Sequence, residues 1–167
     1  AQLEASTLWI EANGGVGVIA FDDGSQARIT SALIRDNAVG GFFFHGDGTE
    51  ATLRDVLIDD SDPGDETRAG RGIEASGGAR VTAVSVVVDG VEEVGIVGLL
   101  PDTTLVLEDS VVRGVRPRPT DQAAGRGIQA QEGARLEAMR TLVEDTRETA
   151  VMITSNGAAQ LTDVTIS

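Results

Sequence analysis

This 167-residue chain repeats itself in two fixed columns, and that constrains its fold more than any other feature. A Gly followed by an apolar residue recurs at Gly17-Val18, Gly41-Phe42, Gly72-Ile73, Gly95-Ile96 and Gly127-Ile128, with Ala150-Val151 as an imperfect sixth copy. A second element, Ala followed after one residue by Leu, Ile or Val, begins at Ala1, Ala27, Ala51, Ala79, Ala134 and Ala159, and Leu105-Val106-Leu107 takes its place once. Its apolar anchors, Leu3, Ile29, Leu53, Val81, Leu107, Leu136 and Leu161, lie 24 to 29 residues apart. Between the columns residues alternate or run apolar, as in "ITSALI" and "VTAVSVVV", and no useful length has helical spacing. Each unit therefore reads as a Gly, a short strand, a turn, an Ala, a second short strand and a turn. Such a unit cannot bury its apolar face alone, so neighbouring units must stack. A longer repeat is laid over the single one: "AGRGIEASGGAR" (69–80) returns as "AGRGIQAQEGAR" (124–135), marking a duplicated pair of units over roughly 53–106 and 107–160.

Composition agrees with a stack of thin layers. Aromatic residues are 3%, Tyr is absent and Gly numbers 21, so the core has to be built from Val, Ile, Leu and Ala brought together by close backbone approach. A hydrophobic fraction of 41% is well above what disordered chains carry.

The unit Gly-Ile-x-Ala, a turn, Gly-Ala-x-Leu-x-Asp-x-x-Val/Ile and an Asn, Asp or Ser near the next turn is represented by "GVGVIAFDDGSQARITSALIRDN" and "GFFFHGDGTEATLRDVLIDDS". It resembles the repeat of right-handed parallel β-helix proteins, the pectin-lyase-like superfold. The resemblance covers essentially the whole chain. It implies an all-β solenoid of about six to seven coils, with residues 1–167 as a single domain. The opening "AQLEAS" and the closing "LTDVTIS" read as the ends of a piece excised from a larger protein, so a fragment is expected. At about 4.8 Å per coil, six coils make a rod roughly 29 Å long. The family's stacked Asn at the turn is matched only at Asn13 and Asn37. The fold hosts lyases, hydrolases, epimerases, tailspikes and adhesins, so the resemblance does not fix an activity.

Charge narrows the partners. The net charge is −14 and all 13 basic residues are Arg, which makes nucleic acid and anionic membranes poor partners. There is no Cys, hence no disulfide framework and no thiolate metal site. No apolar run approaches the 18 residues of a membrane-spanning helix, so membrane insertion is not expected. The resemblance implies an extracellular or cell-surface place, in a bacterial protein.

Strand alternation nominates an outer face. If Val18, Phe42, Ile73, Ile96, Ile128 and Val151 point inward, so do Ala20, Phe44, Ala75, Gly98, Ala130 and Ile153. The residues between and just beyond them then form a candidate ligand-binding face of Ile19, Phe21, Phe43, His45, Glu74, Val97, Leu99, Gln129 and Met152. A strip this apolar is expected to be an interaction site or a seam covered by another segment. An acidic turn, 59–70, and a basic one, 113–125, should flank it.

The expected role is non-catalytic: a rigid module for display, adhesion or binding, with polysaccharide the favoured ligand and protein next. The alternative is a polysaccharide-cleaving domain, a pectinase-like hydrolase or lyase, whose chemistry would fall on Asp22, Asp23 and His45, since His45 is the only His. These residues resemble the Asp-Asp and His-Gly elements of the polygalacturonase branch; the branch's Asn-Thr-Asp and Arg-Ile-Lys elements are missing. No cofactor is expected. Were calcium bound, Asp59, Asp60, Asp62, Asp65 and Glu66 would supply hard oxygen ligands. Open strand edges at both ends of a stack invite pairing, so a homo-oligomer or further flanking coils are expected there.

Overall fold

A computed structural model of the chain describes residues 1–59 and 70–167. Its strands are β1 (Gln2–Glu11), β2 (Val16–Ala20), β3 (Gln26–Arg35), β4 (Gly40–His45), β5 (Glu50–Asp59), β6 (Arg71–Ser76), β7 (Arg80–Asp89) and β8 (Val94–Leu99). They continue as β9 (Thr104–Glu108), β10 (Val111–Val115), β11 (Arg126–Gln131), β12 (Arg135–Met139), β13 (Leu142–Thr146), β14 (Thr149–Ile153), β15 (Ala158–Thr162) and β16 (Thr165–Ile166). No helix occurs among the described residues, and none is long and apolar enough to cross a membrane.

The strands form two parallel sheets. One holds β2, β4, β6, β8, β11 and β14 in chain order; the other holds the remaining ten. The chain passes from one sheet to the other and back, so each strand pairs with its counterpart one repeat later. The all-β, parallel character expected from the repeat is what the chain adopts.

The long strands turn a corner at mid-length. Thr7, Ser31, Asp55 and Ser85 have φ of 60°, 57°, 54° and 55°, and Asp109 and Arg140 take the same place where the later rows split into β9/β10 and β12/β13. L-residues avoid this left-handed region at a cost of about 1–2 kcal/mol. Pairing on both sides of each corner holds the conformation in place.

The Gly column is borne out, with a steric reason. Gly17, Gly41, Gly72, Gly95 and Gly127 stand where the chain enters the six-stranded sheet. A Cβ on Gly95 would lie 2.6 Å from the Gly127 carbonyl oxygen and 2.5 Å from Val112 Cγ1, closer than any real contact.

The Ala-x-Leu anchors, by contrast, do not form one column. Register places Leu3 beside Ala27, Ala51, Val81, Leu105, Leu136 and Ala159, while Ala5, Ile29, Leu53, Ala83, Leu107, Ala138 and Leu161 make the next inward column. Nearly every row thus sets one large residue beside one Ala, in either order, so the volume per row stays nearly constant while the motif slips by two residues. The row of Leu105 and Leu107 breaks the rule. Opposite it lies Gly98, where an added Cβ would sit 3.0 Å from Leu105 Cδ1, so the missing side chain makes room for the second Leu. The interior is otherwise closed: Phe42, Phe44, Ile73, Ile96 and Ile128 are fully buried, and the Phe42 and Phe44 rings stack at 5.9 Å. Ile153, expected to point inward, is 40% exposed because β14 is an outer strand with a neighbour on one side only.

Candidate functional site

Buried hydroxyls bracket the end of the six-stranded sheet. Ser25 Oγ donates to the Phe21 carbonyl (2.9 Å), Thr49 Oγ1 to those of His45 (3.1 Å) and Asp22 (2.9 Å), and Thr103 Oγ1 to that of Leu99 (2.7 Å). Each closes the four-residue step from the last outer residue of a strand to the turn, and so fixes where Phe21, His45 and Leu99 leave the sheet.

Phe21 and His45 are brought together by this bracket, and Phe43 lies two residues before His45 on the same face. Their rings are nearly parallel: Phe21 to His45 is 5.0 Å between centroids at 15°, Phe43 to His45 6.0 Å at 16°, and Phe21 to Phe43 6.5 Å at 28°. Phe21 is 54% exposed and Ile19, in register with Phe43, 56%. The His45 ring is held by a 2.9 Å hydrogen bond between Nδ1 and Ser76 Oγ, its in-register neighbour. Beside Phe43 an apolar hollow of about 240 Å³ opens between Val16, Val39 and Phe42 on one side and Arg71 and Glu74 on the other.

Arg71 organises that margin. Its guanidinium donates to Glu74 at 2.7 Å and to Glu93 at 3.0 Å. Burial works against its charge, but the two carboxylates outweigh it and hold its pKa above the usual value. Arg126, its counterpart in the duplicated motif, pairs with Glu148 at 3.0 Å and donates to Gln129 at 3.3 Å. Both Arg residues are thus used as ion-pair fasteners between rows.

The candidate face is not continuous. Ile19, Phe21, Phe43 and His45 cluster at one end, and Met152 and Leu99 are half-buried farther along. Val97 and Gln129, expected to face solvent, are only 2% and 4% exposed. Val97 lies in register between Glu74 and Gln129, long side chains held against the sheet by Arg71 and Arg126, so the middle of the strip is closed. Alternation gave the correct side for these residues; what it could not give is how far neighbouring side chains fold over them.

Of the catalytic candidates, Asp23 uses Oδ1 to accept the Asp47 N–H at 3.0 Å, while Asp22 turns the chain with φ 82° and gives its carbonyl to Thr49. Asp60, Asp62, Asp65 and Glu66 lie outside the described residues. Asp59 ends β5 between Arg35 and Asp89. Among the described residues no three His, Asp or Glu are grouped to hold a metal ion. The basic turn is fastened from within, Arg118 to Asp121 at 2.8 Å, and reaches Glu93 at 4.0 Å. Sequence reasoning missed Glu93 as a partner of the site; its signal was position, one row from Arg71.

No protein-family model matches the chain, and no curated protein matches it.

Proposed function

We propose that the chain is a right-handed parallel β-helix of the pectin-lyase-like kind, a rigid non-catalytic module of a secreted or surface-attached bacterial protein that binds a polysaccharide. The observation that carries the ligand is the trio Phe21, Phe43 and His45, three nearly parallel rings on an exposed face with Ile19 beside them. The C–H face of a sugar ring packs on such surfaces, and a row of rings suits a chain of sugars better than a single compact ligand. Acidic neighbours, Asp22, Asp23, Asp47 and Glu74, favour neutral glycans over uronates. Binding is favoured over cleavage because the Asp23 carboxylate is engaged in holding the next turn.

The test is affinity electrophoresis and calorimetry on a panel of neutral and uronate polysaccharides, with Phe21→Ala and Phe43→Ala. Binding to a neutral glycan weakened roughly tenfold or more in either variant is expected. Equal binding by wild type and variants would sink the reading. Release of reducing ends or unsaturated sugars, lost in His45→Ala, would replace it with the cleaving alternative.

A further inference from the structure

The second half of each long strand carries an outer apolar position that the repeat columns do not reveal. Trp9, Leu33, Leu57, Val87, Val111 and Leu142 are successive partners in the register of β1, β3, β5, β7, β10 and β13, so they form one line across the ten-stranded sheet. They alternate with the buried Ile34, Ile58, Val88 and Val112 and therefore lie on the solvent side. Trp9 is 66% exposed, Leu57 38%, and the other four half-buried. At about 4.8 Å per strand the line is roughly 24 Å long and one side chain wide. Two residues farther along each strand runs a charged line of Glu11, Arg35, Asp59, Asp89, Arg113 and Glu144. Carboxylates outnumber guanidiniums there, and Arg35 and Arg113 are already engaged by Glu11 at 3.5 Å and Asp89 at 2.8 Å.

We infer that this line docks an amphipathic helix of a partner protein, with its apolar stripe flanked by Lys or Arg. Three features fix the occupant. A strip one side chain wide falls far short of the roughly 800 Å² per partner that a stable globular interface needs. A second copy, itself carrying a net charge of −14, is therefore a poor fit. A helix of about 16 residues has the required length, and its turns recur every 5.4 Å or so, near the row spacing. The acidic margin favours cationic flanks, and Trp9 is the kind of large, accessible side chain that anchors such contacts. This surface lies on the other sheet from the aromatic trio and stands independently of the glycan reading.

The probe is a synthetic helix of about 16 residues with Leu at i, i+3, i+4 and i+7 spacing and Lys flanks. Its control has the same Leu pattern and Glu flanks. Trp9 is the only tryptophan, so its emission reports directly on whether the line is covered. The Lys-flanked peptide should shift that emission to the blue, saturably and less so at high salt. Leu57→Gln and Leu33→Thr should each weaken binding roughly tenfold. Both change only outward side chains, so unaltered melting is expected; should one fail to fold, the other carries the comparison. The inference falls if Trp9 emission is unmoved, if the Glu-flanked peptide binds as well, or if both variants bind as wild type does. It falls too if light scattering finds a dimer in which Trp9 is already covered.

Discussion

At Gly98 the absent side chain is what the neighbouring row requires, because Leu105 and Leu107 together occupy a row that elsewhere holds one large residue and one Ala. Gly98→Val should cost about 1–3 kcal/mol through overpacking. Leu105→Ala should cost about 2–5 kcal/mol through the cavity it leaves. The double variant should be more stable than the sum of the two, measured by denaturant melts in a double-mutant cycle. Additive losses would show that the two residues do not share the space. Ser85 makes a second point, being a non-Gly corner residue at φ 55°. Ser85→Val should destabilise by about 1–2 kcal/mol, while Ser85→Asn should be nearly neutral, since a β-branched side chain tolerates the left-handed region worst and Asn best. Equal effects of the two changes on melting temperature would argue against a strained corner.

Three of the turns that follow the six-stranded sheet are held by single hydroxyls, and the fully buried Thr49 shares its one proton between two carbonyls. Thr49→Val keeps the shape and removes the donor. A loss of about 1–3 kcal/mol is expected. Because the bond runs to the carbonyl of His45, the glycan affinity proposed above should fall with stability, whereas Thr103→Val, which frees Leu99, should cost stability and leave that affinity unchanged. The two variants compared by calorimetry decide whether the bracket positions the aromatic trio. Strand, turn and Gly column at this scale were readable from residue spacing alone. The bracket was not, since Ser25, Thr49 and Thr103 are unremarkable as letters and acquire a function only when the backbone returns beneath them.

Through the middle of the stack, ion pairs tie neighbouring rows together: Arg71 to Glu93, Arg113 to Asp89, Arg126 to Glu148, and Arg140 to Asp109 and Glu108. The hydrogen bond from Arg140 holds the Asp109 carboxyl below its ordinary 3.8, and the Ala123 backbone N–H does the same for Asp121. A carboxylate with a lowered folded pKa contributes stability above its unfolded pKa and loses it as the pH falls through the folded value. The melting temperature should therefore decline as pH drops below about 4. Asp109→Asn should lower it slightly at neutral pH and flatten the acid decline, a difference thermal melts over the acid range would read. An acid profile identical to wild type would show that the pair carries no linkage.

The all-strand character, the parallel pairing of one unit on the next and the Gly column were decided by the sequence, because a stack forces the same steric problem on every row and the same residue solves it. The outward side of Ile19, Phe21, Phe43 and His45 was decided in the same way, by the two-residue period of a strand. Only the tertiary structure decided that Val97 and Gln129 are closed over, that the anchors divide between two columns, and that Trp9 to Leu142 lie on one line. Each of these depends on register between residues about 25 or more positions apart, and register is set jointly by loop lengths and by the volume that the opposite wall leaves free.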